Sequence, residues 1–193
     1  MHCSQKGGPA VLPFFVAGCR YFPQPGRRHR RPGVPNAAAG TYVTAFSAMP
    51  ESVIFSQPYG RVLVDAAVPC VITQWLAFAN RTDFIAMQEA ALVYFEAHST
   101  PAAPWGWVGD IRRMGAIPAE AQQWLATEFN ARAVAAGLHE VSVVEAENVF
   151  GQLAAQRYAH NTEQSPVAGQ LATVLYPTLA KAKAGARRAI AAR

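Results

Sequence analysis

From Ser52 onward the chain alternates short apolar runs with longer segments of helical period, and that rhythm predicts its architecture. Ser52-Val53-Ile54-Phe55 and Arg61-Val62-Leu63-Val64-Asp65 are strand-like runs on either side of Gln57-Pro58-Tyr59-Gly60, which has the composition of a hairpin turn. Residues 70–76 form a third predicted strand, with Pro69 marking its start. Asn80 or Thr82 can then cap a helix whose stripe is Phe84, Met87, Ala91, Leu92 and Phe95. Asp83, Gln88, Glu89 and Glu96 are expected off that stripe.

Residues 105–110 carry no charge before Asp110, which predicts a strand covered on both faces. A helix follows from Pro118, with Ala121, Leu125, Phe129, Ala133 and Ala136 as its seam and Trp124 at the edge. Gly137 is placed to stop it, with Leu138 folding back over the last turn. Residues 140–145 read as a strand and 147–158 as a shorter helix with Val149, Phe150, Leu153 and Ala154 inward. Residues 160–169 read as a polar loop and 171–175 as the last strand. Thr178 then caps a final helix with Leu179, Ala182, Ala186 and Ile190 inward. The order β-β-β-α-β-α-β-α-β-α predicts an α/β fold. An antiparallel meander should lead into a mixed sheet of five to six strands, with about four helices mainly on one face.

The first 48 residues differ in kind. Pro and Gly recur at a density that defeats helices and central strands, and no apolar period runs through them. Residues 1–48 are therefore expected to be an unstructured extension to a domain spanning 49–193, with Met49 as a candidate natural start. Val16-Ala17-Gly18-Cys19 also fits the small-residue pattern before a lipidated cysteine, although the apolar run ahead of it is short and broken by Pro13. The run Arg27-Arg28-His29-Arg30-Arg31 reads as a solvated stretch or, alternatively, a nucleic-acid or address motif.

Charge changes the picture only through this extension. It holds six Lys and Arg and no Asp or Glu, which leaves eleven basic against twelve acidic residues from Met49 onward. The folded part has no excess to steer a polyanion, so nucleic-acid binding through it is not expected. The cysteines, Cys3, Cys19 and Cys70, have neither disulfide-framework nor zinc spacing, and a reduced, cytoplasmic setting is expected. No apolar run approaches the ~20 residues of a membrane span.

No phosphate loop, His-Glu-x-x-His or nucleophile elbow is present, and neither a metal nor another cofactor is expected. Cys70, His98 and Asp110 can be drawn as a triad. Cys70, however, lies inside a strand pattern and reads as a small core residue, and His98 reads as a donor to free carbonyls at a helix end. The candidate site is instead the loop after the tryptophan-bearing strand: Asp110, Arg112, Arg113, Met114 and Gly115. Tyr176 and Glu145 are expected at neighbouring strand ends on the same rim. Two readings stay open. Asp110 can cap loop amides and pair with Arg112, fixing the loop; or an arginine fork with helix-start amides can hold a small anion.

Residues 49–190 resemble the STAS fold, known from sulfate transporters and the SpoIIAA-like anti-sigma-factor antagonists, and more closely a branch of small uncharacterised bacterial proteins. The resemblance rests on Asp110-Ile111-Arg112-Arg113-Met114-Gly115-Ala116-Ile117 with Glu120, Gln123 and Trp124. Further support comes from residues 133–138 leading into 141–144, from Glu147-Asn148-Val149-Phe150-Gly151, and from Val174-Leu175-Tyr176-Pro177-Thr178-Leu179-Ala180-Lys181-Ala182. It implies a non-enzymatic regulatory or protein-interaction domain; the alternative is a protein binding a small anionic ligand, nucleotide or lipid. Antagonists that switch partners carry a phosphorylatable Ser or Thr at the helix start, where this chain has Ile117, Pro118 and Ala119. Phosphate-driven switching at that position is therefore not expected.

Overall fold

The computed structural model describes residues 51–192. The extension, with Cys3, Cys19 and the arginine run, lies outside the described residues. Strands β1 (Ser52–Gln57), β2 (Gly60–Asp65) and β3 (Cys70–Trp75) precede helix α1 (Arg81–His98) and β4 (Gly106–Asp110). Then come α2 (Ala119–Trp124), a π-helical turn (Leu125–Phe129) running directly into α3 (Asn130–Ala135), β5 (Glu140–Val144), α4 (Val149–Glu163), β6 (Ala172–Tyr176) and α5 (Leu179–Ala191). The six strands lie in chain order in one mixed sheet. β1, β2 and β3 pair antiparallel, and β3 through β6 pair parallel.

Strands added one after another in a single direction, each by a right-handed crossover, put the connecting helices on one face. The core divides accordingly. On one face Val71, Trp75 and Trp107 pack with α1, the helix built from α2 and α3, and α4. On the other, Cys70, Ile72, Val108 and Val144 pack against Ala182 and Ala186 of α5. β4 is buried along its whole length, as its composition predicts. Trp107 meets Phe129 and Phe95 edge-on, with ring centroids 4.9 and 5.6 Å apart.

The local punctuation matches its chemistry. Asn80 caps α1 by accepting the Asp83 amide at 3.0 Å, and Thr178 does the same for Lys181 of α5. At the end of α3, Gly137 takes φ 99°, its amide donates to Val134, and the Leu138 amide donates to Ala133. This is a Schellman stop with Leu138 folded into the core. A Cβ at Gly137 would also fall 2.7 Å from the Thr100 carbonyl oxygen.

Three expectations fail for physical reasons. Gln88 is buried within the α1 stripe, one turn from both Phe84 and Leu92. The second correction concerns α4, which is turned outward relative to the sequence reading. Its buried residues are Gly151, Ala154, Ala155 and Thr162, while Val149, Phe150 and Leu153 face solvent. Thirdly, residues 160–163 are helical rather than loop, because the helix is fastened near its end. The Asn130 amide nitrogen donates to the Thr162 hydroxyl, and the Tyr158 hydroxyl donates to Asn130 Oδ1 at 2.8 Å. Asn130 reaches this position because the π turn before it shifts the helical phase, burying Phe129 and Asn130 in succession.

Asn130→Ala removes both bonds and leaves the Tyr158 hydroxyl without its acceptor, while Thr162 keeps its bond to the Tyr158 carbonyl, so it should lower unfolding free energy by about 1–3 kcal/mol. Urea denaturation reads this, and an unchanged midpoint would show that the bridge does not hold α4.

Candidate functional site

The parallel strands deliver Gln74, Trp75 and Asp110 to one rim, because β3 and β4 are in register with Gln74 beside Asp110. Asp110 is only 2% exposed. Its oxygens accept Arg112 Nε at 2.9 Å, Arg112 Nη2 at 2.7 Å and Gln74 Nε2 at 3.1 Å, with the Arg112 backbone amide at 3.4 Å. Burial by itself would raise the Asp110 pKa. The Arg112 fork and the Gln74 amide more than offset it, and hold the carboxyl below the usual carboxylate range.

The next residues complete a tight loop. The Met114 amide donates to the Ile111 carbonyl, and the Met114 carbonyl accepts the Asn148 side chain at 2.9 Å. Met114 itself is buried in the core, Gly115 lies beside Phe78, and Arg113 points to solvent. A depression of about 240 Å3 lies beside Asp110, bordered by Gln74, Trp75, Leu76, Arg112, Arg113 and Glu147. Its two guanidinium groups face two carboxylates, so it offers an anion no excess positive charge. Of the two readings of Arg112, the geometry matches the one in which it pairs with Asp110 and fixes the loop.

Tyr176 is not brought to this group. Its ring packs against Gly185 of α5, and its hydroxyl donates to Glu140 Oε1 at 3.0 Å, back toward the opposite end of the sheet. Glu145 is exposed and borders a separate hollow with Gln152, Gln156 and Leu175. Cys70 pairs with Gly106 at one end of the strands and Asp110 with Gln74 at the other, four residues or ~13 Å apart, so they form no triad. Burial pushes the Cys70 thiol up to about 12, which keeps it protonated and unreactive. His98 Nδ1 lies 2.8 Å from the Tyr94 carbonyl oxygen at the end of α1. Among the described residues, no group of three or more His, Cys, Asp or Glu is arranged to hold a metal, and no helix is long and apolar enough to cross a membrane.

What sequence reasoning missed is apolar. Phe78 and Phe150 are 61% and 62% exposed, and Val149 and Leu153 are exposed beside Phe150. These residues flank the rim: Phe78 touches Gly115, while Asn148 and Gly151 at the start of α4 sit against Met114. Phe78 carried no clear signal, since it follows Trp75, Leu76 and Ala77 in an unbroken apolar run that ends at the Asn80 cap.

No known protein-family profile matches the chain, and no curated protein matches it. Among solved structures it is similar to an uncharacterized protein from the DUF3478 family with a SpoIIAA-like fold from Shewanella loihica PV-4. Sequence identity is 11%, the match covers 71% of this chain and 92% of that one, and the TM-score is 0.42.

Arg112→Ala leaves a buried carboxylate with Gln74 as its remaining side-chain partner. It should cost about 2–3 kcal/mol at neutral pH, a range discounted for the partial exposure of the guanidinium. Because the folded-state pKa of Asp110 is lowered, its contribution is present above the ordinary carboxylate range and is lost as pH falls through the folded value. The Tm difference between wild type and variant should therefore narrow as pH drops below about 4; a constant difference would rule out the carboxylate as the origin.

Proposed function

We propose that the domain is a non-enzymatic regulatory module that binds a protein partner through the apolar rim around the Met114–Gly115 loop. The observation that carries this reading is the outward turn of α4. It leaves Val149, Phe150 and Leu153 exposed on the helix seated against Met114, rather than burying them as the amphipathic pattern would allow, while Phe78 is exposed beside Gly115. Exposed apolar side chains of this size grouped around one loop mark interaction surfaces, and aromatic anchors carry much of the energy in such contacts. The chemistry around the rim supports binding over catalysis. Asp110 is saturated with donors, and Arg112 is committed to it. With Ile117, Pro118 and Ala119 at the helix start, recognition would rest on apolar shape and not on a phosphorylation switch at that position. An anionic small ligand is the weaker alternative, because it would have to draw Arg112 away from Asp110.

The test compares wild-type chain with a Phe78→Ser/Phe150→Ser double variant as bait in lysate of the source organism. A partner retained by wild type should bind the variant at least about 30-fold more weakly, as loss of aromatic anchors predicts. The variant's Tm should stay at the wild-type value, since both side chains are exposed. Equal retention by the two baits, or no protein retained by wild type, would overturn the proposal.

A further inference from the structure

Between the sheet and the helices of the α1–α4 face, the core leaves a cavity of about 50 Å3, roofed in part by Ile111, Met114 and Ile117 of the rim loop. Its origin is visible in the residues that border it. Gly109 stands on this face of β4, next along the face from the large ring of Trp107. A Cβ placed there would meet nothing closer than Val143 Cγ2, at 3.9 Å. Across the space α4 presents Ala154 and Ala155, because its larger apolar residues point to solvent. Close-packed interiors leave few such spaces, and glycine within a strand is unfavourable, so a void built by glycine and alanine goes against ordinary packing.

A second, independent observation gives the cavity a chemistry. Gln88, in the middle of the apolar stripe of α1, is 7% exposed and borders the space, and its Oε1 has no hydrogen-bond partner. A buried carbonyl left unpaired is destabilising, and a donor supplied by an occupant would relieve it. Water is a poor occupant, since it needs two to four polar partners and most of the wall is apolar. A molecule with an apolar body and one donor satisfies both the wall and the carbonyl.

We propose that this cavity is a binding site for a small apolar ligand bearing a single hydroxyl, which donates to Gln88 Oε1 while the body fills the space beside Gly109. One water takes about 10–15 Å3 of such space, so the cavity admits about three to five non-hydrogen atoms, the size of a short branched alcohol. The site lies on the core side of the rim loop, and its occupancy does not depend on a protein partner.

The experiment uses methyl-labelled full chain and two probes, 2-methyl-1-propanol and xenon, followed by NMR. Wild type should show saturable shifts from both, centred on Val143, Leu125 and Met114. Gly109→Ala adds a methyl that has room, so its Tm should match or exceed wild type while alcohol affinity falls tenfold or more. Gln88→Met keeps side-chain length and removes the acceptor; it should weaken the alcohol about tenfold and keep the xenon response. Shifts that never saturate, or a Gly109→Ala variant that binds like wild type, would overturn the site. Full alcohol affinity in Gln88→Met would overturn the assignment of the donor contact.

Discussion

A strand covered on both faces has nowhere wet to place a charge until it emerges, and β4 places a carboxylate at that point while it is still enclosed. A buried carboxylate without partners is strongly unfavourable. Arg112 therefore has to fold back onto Asp110 within two residues, and Gln74 of the neighbouring strand has to face them. That requirement shapes everything after the strand. The chain turns at once, the Met114 amide closes onto Ile111, and the Met114 carbonyl becomes the acceptor for Asn148 at the start of α4. The position of α4 is thus inherited from an ion pair at the end of a different element.

The rotation of α4 is fixed in the same manner. At its start Asn148 accepts the Gly151 amide and donates to Met114. A Cβ on Gly151 would fall 2.5 Å from that of Ala146, so the helix is seated on the loop at a position only glycine allows. Near its end Asn130 bridges Tyr158 and Thr162. Polar contacts at both ends override the rotation that apolar burial alone would favour. The two consequences are linked: turning Phe150 and Leu153 inward would cover the exposed patch and also crowd the space now bordered by Ala154 and Ala155.

Much of the framework is legible in the sequence because single-residue chemistry sets it. Asn80, Thr178 and Gly137 sit where the helix ends require them, and the uncharged run before Asp110 gives the doubly covered strand. Phe84 to Phe95 marks the buried face of α1. The site is less legible. Val149-Phe150-Gly151-Gln152-Leu153-Ala154-Ala155 offers two apolar arcs, and the residues that choose between them lie elsewhere, at Met114 and Asn130. The π turn that aims Asn130 inward has no marker in Leu125-Ala126-Thr127-Glu128-Phe129. Gln88 shares its face with Phe84 and Leu92 by simple spacing, but its polarity argues for solvent. Tyr176 reaches the expected strand end, while its long ring carries the hydroxyl back to Glu140, which strand position alone does not convey.

The two faces of the sheet differ in a way that supports the proposed working surface. Beneath α5 the choices agree with one another: Cys70, Ile72, Val108, Ala182 and Ala186 interlock, and Lys183 joins Asp65 at 2.7 Å and also Glu51 to close the edge. On the α1–α4 face, departures from good packing gather near the carboxyl ends of the parallel strands. They are a strand glycine beside empty space, a buried carbonyl without a donor, and aromatic side chains left in water. Such departures lower stability individually and concentrate where binding or chemistry requires them. A fold able to build the α5 face so completely has the means to build its other face equally well. That it does not, on both sides of the loop from Ile111 to Ile117, is the physical argument for the proposed working surface.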